Sequence, residues 1–166
     1  MKRFLNWLDS RGRKRIVYDR VDNQPYLERY YLLLKDRGEH FPFNIFLHKF
    51  LKSDIDDLHD HPWPYATLIL KGGYYEWTPK FDADGKKIGE ISHWRGPGHF
   101  RICKATDYHR VELHPGVECW TLFMPGPQQR EWGFLNKKNQ WIQHEEYLAE
   151  RMCKVDGWKV KSNGTF

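Results

Sequence analysis

Apolar positions fall along this chain in short bursts separated by Gly, Pro and Asp, and most bursts are too short for helices. Phe4, Leu5, Trp7 and Leu8 mark one side of a short helix, which Ser10 and Gly12 end. Residues 26–34 are rich in aromatics and read as a strand, with helix as the competing reading because Glu, Arg and Leu favour it; Gly38 closes the segment. Further strands are expected at residues 43–50, at 66–70 before the Gly72-Gly73 turn, and from Tyr74 to 79. An Asp-Gly hairpin loop at 82–87 returns the chain through 88–95. Gly96-Pro97-Gly98 turns it again into 100–104, and residues 119–124 form the clearest buried strand late in the chain, ended by Pro125-Gly126-Pro127. Residues 132–135 and 141–143 predict a last hairpin around Lys137-Lys138-Asn139, and a helix follows over 145–153.

Short strands at this spacing predict an all-β sandwich or barrel with short terminal helices. The length of 166 residues suits one core. We divide the chain into a basic segment with a short helix (1–20), a single domain (21–152) and a tail (153–166). Eight Trp, nine Tyr and ten Phe supply the large buried area that a small β fold needs.

The net charge of +5 resides in residues 1–20, where seven basic residues face Asp9 and Asp19; the rest of the chain is balanced. The run from Arg11 to Arg15 is either a solvated charged loop, the commoner case, or a contact for nucleic acid or another anion. No run is long and apolar enough for a membrane span, and the first residues lack a secretory apolar segment, so a soluble, cytoplasmic protein is expected. Cys103, Cys119 and Cys153 lack the spacing of a zinc site or a disulfide framework and are expected to be reduced.

The candidate chemistry lies at Asp57-Leu58-His59-Asp60-His61-Pro62. In a strand, a spacing of two puts both imidazoles on one face, which makes His59 and His61 half of a metal site. A third ligand is available in the Gly98…His109 segment. The two segments together resemble the signature motifs of the cupin superfamily. His59 and His61 match its His-x-His, Gly72 or Gly73 stands at the closing glycine, and Gly98 and His109 match the ends of its second motif. The motif Glu is absent, its position being Tyr65 or Ala66, and Lys104 and Thr106 replace the usual Pro and Gly. The resemblance implies a jelly roll that brings His59, His61 and His109 together around a divalent metal, Fe(II) first, with Zn, Mn or Ni as alternatives. It also suggests a homodimer.

A site of three neutral imidazoles keeps the full charge of its metal and leaves coordination positions open, so it acts as a strong Lewis acid. Among cupins, Glu-less sites of this type resemble those of thiol dioxygenases. The rival reading makes His59 and His61 polar loop residues beside Pro62 and Pro64. Tyr65 is either a phenol in the pocket or a packed aromatic. Glu76, Arg101 and Arg130 are candidate anchors for an anionic group, with ordinary ion pairing as the default. Asp57 and Asp60 are candidate partners for the imidazoles, His114 fits a turn, and His48 fits a core or rim position. Of Trp77, Trp120 and Trp132, at least two are expected in the core.

The leading function is a metal-dependent oxygenase acting on a small polar or anionic molecule. The alternatives are a sugar isomerase or epimerase using Tyr65 or Tyr108 with His109, and a binding module without chemistry. Nucleic-acid association through residues 1–20 is compatible with any of them. A site of two histidines and one carboxylate is disfavoured because His61 stands where the carboxylate would be.

Overall fold

The structure, a computed structural model, describes the chain apart from residues 20–21, 36–41, 55–56, 137 and 156–166, and describes only the backbone of 151–155. In chain order the elements are α1 (Lys2–Ser10), β1 (Lys14–Tyr18), β2 (Pro25–Tyr31), β3 (Phe46–Phe50), β4 (Leu58–His59), β5 (Tyr65–Lys71), β6 (Tyr74–Phe81), β7 (Lys87–Arg95), β8 (Phe100–Cys103), β9 (Arg110–Leu113), β10 (Cys119–Pro125), β11 (Gly133–Leu135), β12 (Trp141–Gln143) and α2 (His144–Val155). The expectation of a mainly all-β chain with short terminal helices holds. Gly38 and the 156–166 part of the tail lie outside the described residues.

One face of the sandwich is a six-stranded antiparallel sheet in the order β1-β2-β3-β10-β5-β8. The other is built from two three-stranded sheets, β12-β11-β4 and β7-β6-β9. A single bridge between His59 and His109 joins these two. Each of the two residues donates its amide to the other's carbonyl at 3.0 Å. In an antiparallel pair that exchange sets both side chains side by side on the same face. The seam of the second face is therefore also where two candidate ligands meet.

Three clusters hold the layers. Ile69, Tyr74, Val111 and Cys119 pack between the faces. On the outside of the six-stranded sheet, Leu8 of α1 packs with Tyr30, Leu47 and Trp120. Beside β11, α2 brings Tyr147 and Leu148 against Phe134, with the Phe134 and Tyr147 rings stacked at 4.0 Å. The four apolar residues expected on one side of α1 divide: Leu5 and Leu8 dock, while Phe4 and Trp7 stay half exposed and stack on each other.

The segment read as a charged loop contains a strand, β1, at the edge of the sheet. Lys14, Arg15, Ile16, Val17 and Tyr18 alternate in direction, and an edge tolerates the charges that would exclude such a run from the sheet interior. Lys14 pairs with Glu28 at 2.9 Å. Arg13 donates to the Tyr31 and Leu33 carbonyls, both at 2.8 Å. The basic cluster is thus partly used by the fold itself.

Gly72 shows why the β5–β6 turn needs glycine. Its φ is +71°, and a Cβ there would lie 2.1 Å from the Glu118 carbonyl oxygen.

Candidate metal centre

β4 is too short to stand alone, and it is held by its neighbours. Leu58 is fully buried, and the residues flanking His59 anchor the strand on both sides. Asp60, also fully buried, accepts from the Gly133 amide at 2.7 Å and the Trp141 indole at 3.1 Å, and pairs with Arg130 at 2.8 Å. Alternation turns Asp60 away from the cavity and His59 and His61 towards it. Asp60 therefore ties β4 to β11 and β12 and does not orient an imidazole, and Arg130 is committed to it. Asp57 accepts from the Tyr147 hydroxyl at 3.0 Å and so ties this segment to α2.

The ligating atoms of His59, His61 and His109 all lie within 4.8 Å of one another. His61 Nε2 and His109 Nε2 are 2.9 Å apart. For metal–nitrogen bonds of about 2.1 Å, two ligands at right angles lie about 3.0 Å apart, so this pair has the separation of one edge of a coordination octahedron. Burial drives the His59 imidazole down to about 4, against the Asp54 carboxylate, which acts in the opposite sense. Burial, with the two neighbouring imidazoles, holds His61 well below the ordinary histidine range. At neutral pH both are in the form that ligates a metal. The donor set fits a divalent transition metal.

Glu76 and Arg101, expected as substrate anchors, meet each other instead. Glu76 is 2% exposed, contacts Arg101 and accepts from Arg95 Nε at 2.9 Å. Its Oε1 lies 3.4 Å from His109 Nδ1. Burial pushes this carboxyl up, but His109, Arg101 and Arg95 outweigh it and bring it to about 2. The anion behind Nδ1 favours a proton there, which leaves Nε2 free on the cavity side. Arg95 went unnoticed in the sequence, where nothing but its place across β6 from Tyr74 relates it to Glu76.

Tyr65, at one of the two possible positions of the absent motif Glu, is 5% exposed, and its hydroxyl lies 3.3 Å from His109 Nε2. It lines a cavity of about 400 Å³ together with the three histidines. The inner face of the six-stranded sheet supplies another part of the wall, Arg15, Arg29, His48 and Thr121 among it. These residues carry no motif, and strand parity from one sequence does not reveal which of them face inward. His48 is 4% exposed and belongs to this wall. Trp132 lines the cavity, Trp120 packs in the core, and Trp77 donates to Glu112 at 2.7 Å away from the site. His114 holds a turn through its carbonyl, which accepts from the Val117 amide at 3.1 Å. Cys103 and Cys119 are free and buried, and the Cys153 side chain lies outside the described residues.

No family model matches the sequence, and no curated protein matches it. Solved structures do. A cupin-2 domain from Rhodospirillum rubrum aligns with a TM-score of 0.55 at 11% identity, over 76% of this chain and 78% of its own. A cupin 2 conserved barrel domain protein from Rhodopseudomonas palustris gives 0.54 at 10% identity, over 76% and 80%. The polyketide cyclase RemF from Streptomyces resistomycificus gives 0.51 at 17% identity, over 78% and 83%. At these identities the likeness is one of architecture. The six-stranded sheet facing two smaller antiparallel sheets, with His59, His61 and His109 gathered where those two meet, makes this chain a protein of the cupin fold.

Proposed function

We propose that His59, His61 and His109 hold a divalent metal ion and that the chain is an oxygenase acting on a small polar or anionic molecule. The observation that carries this reading is the convergence of three imidazoles, two of them held neutral, on the wall of a cavity large enough for a small substrate. A divalent metal bound there supplies Lewis acidity and, if iron, access to dioxygen chemistry. The chain's own residues do the rest. Glu76 faces His109 Nδ1 at 3.4 Å, and the pair of arginines keeps Glu76 ionised. Tyr65 presents a hydroxyl beside the ligating edge of His109, where it donates to a bound substrate. The phenol stays protonated, because burial raises it well above the ordinary tyrosine range. With no carboxylate among the three ligands, the site retains the full metal charge and attracts an anion.

The test is elemental analysis of protein purified without added metal and without a polyhistidine tag, beside His61→Ala, followed by oxygen-consumption assays. Near-stoichiometric iron that the variant loses supports the reading. Absence of bound metal in both proteins after anaerobic reconstitution with Fe(II) defeats it.

A second reading draws on the contact between Tyr65 and His109, whose 3.3 Å separation suits an acid–base pair in an isomerase or epimerase. It requires His109 to be free of metal, so the same elemental analysis separates the two.

A further inference from the structure

The inner face of the six-stranded sheet carries a polar row that no motif marks. Arg15 of β1 stands directly opposite Arg29 of β2, Arg29 opposite His48 of β3, and His48 opposite Thr121 of β10. All four residues line the cavity that holds the three histidines. Such a row works against the fold. Like charges directly opposite each other on a sheet are destabilising, and a guanidinium withdrawn from water needs partners.

Among the described residues neither arginine forms an ion pair with a carboxylate. Asp54 also lines the cavity, but its oxygens are taken by the Tyr26 hydroxyl and by the Val111 amide at 2.6 Å. Arg29 is instead braced. Its Nε donates to His48 Nε2 at 3.0 Å, and its guanidinium carbon sits 4.8 Å from the centre of the Phe46 ring. His48 serves as an acceptor because burial, with Arg29 beside it, holds the imidazole neutral. These contacts use the Nε edge and one face of the guanidinium, and the Tyr31 side chain is a further hydrogen-bonding neighbour of it. The terminal nitrogens provide the fork that suits a planar or tetrahedral oxyanion. Arg15 is exposed on the edge strand, so it stands at the rim, with Arg29 further in.

We propose that Arg29 and Arg15 form an anion-binding end of this cavity, and that the substrate is a small molecule carrying a carboxylate or phosphate held by them while its other end meets the three-histidine group. The position of the reacting end rests on the metal reading above; the anion site does not.

The experiment is calorimetric titration of succinate and of inorganic phosphate into metal-free and Co(II)-loaded protein at low salt, with the neutral diamide of succinate as control. Wild type, Arg29→Gln, Arg29→Lys, Arg15→Gln and His61→Ala are compared, each checked for folding by circular dichroism. At least one anion should bind wild type saturably and the diamide should not. Loss of the hydrogen bonds from Arg29 should weaken that binding about tenfold or more in Arg29→Gln, while Arg29→Lys keeps part of it. Arg15→Gln, at the solvated rim, should show a smaller loss and melt no lower than wild type, since it removes a like-charge neighbour. Whichever of succinate and phosphate binds more tightly identifies the oxyanion. The proposal is overturned if neither anion binds saturably, or if binding is undiminished in both Arg29 variants. It is also overturned if Arg15→Gln loses stability but not anion binding, which is the behaviour of a structural residue. If His61→Ala and metal-free wild type still bind the anion while no metal binds wild type, the metal reading falls and the anion site stands.

Discussion

The candidate site depends on single side chains whose partners lie far away in sequence. Glu76 is the clearest. It is nearly inaccessible, yet ionised, because three cations or potential cations surround it. Glu76→Gln leaves Arg95 and Arg101 without their anion and removes the negative charge behind His109 Nδ1. We expect metal affinity to fall roughly 10–100-fold, the range for losing a carboxylate partner of a ligating histidine. Stability should fall by about 2 kcal/mol, below the figure for a fully buried pair because both arginines keep some contact with water. Competitive metal titration and urea melts measure the two effects, and an unchanged metal affinity would falsify the positioning role. Tyr65→Phe is the complementary case. It should retain metal, because the phenol is not one of the three candidate ligands, and lose turnover of the substrate once that is found. If metal is lost together with the hydroxyl, the phenol acts on the site and not on the substrate.

At the scale of elements, β4 is held in register by one side chain more than by its own ladder. Asp60 gathers an amide, an indole and a guanidinium from the β11–β12 hairpin and the segment before it. Removing the carboxylate leaves Arg130 and two donors unpaired and releases the strand that carries His59. Asp60→Ala should therefore cost about 3 kcal/mol. It should also weaken metal binding although the residue touches no ligand. Thermal melts with and without metal decide the matter: equal destabilisation in both states would show that β4 stays in place without Asp60. The β5–β6 turn offers a cleaner backbone test. Gly72→Ala puts a methyl group where Glu118 O stands and imposes a left-handed φ on an L residue. A loss of roughly 2–4 kcal/mol is expected in denaturant melts, and a neutral result would mean that the turn relaxes freely.

For the whole molecule, three histidines largely withdrawn from water, His48 buried and His59 and His61 on the cavity wall, make stability depend on acid. His48, His59 and His61 are all held below the ordinary range, burial being the main cause in each. In the unfolded chain they protonate near pH 6.5. Between that pH and about 4, where His59 titrates in the fold, the unfolded metal-free protein binds more protons than the folded one. Stability is therefore complete above pH 6.5 and is lost as pH falls, by up to about 1.4 kcal/mol per pH unit for each histidine. Metal-free protein melted across this range should show the fall, and His48→Phe should show a shallower one. A melting temperature that stays level from pH 6.5 to 5 would contradict it. Added metal should raise the whole curve by mass action.

The alternation and turn signals of the sequence were enough for the all-β class, for most strands and for both helices, because those patterns reflect local backbone preference and one-sided burial. The His-x-His spacing and the Gly98…His109 interval were also enough for the three candidate ligands, since motif spacing records a register that the fold must satisfy. Strand β1 remained hidden because its position at a sheet edge, which is what tolerates its charges, is a tertiary property. The same limit applied to Glu76, Arg101 and Arg130. Each was visible as a charge, but its partner was chosen by cross-strand neighbours that a single sequence does not specify. Arg29 and His48 face the cavity only because β2 and β3 pair in one register and not its neighbour, and a shift of one residue would have turned both outward. The three candidate ligands were written in the local sequence, whereas the cavity around them was decided by long-range pairing.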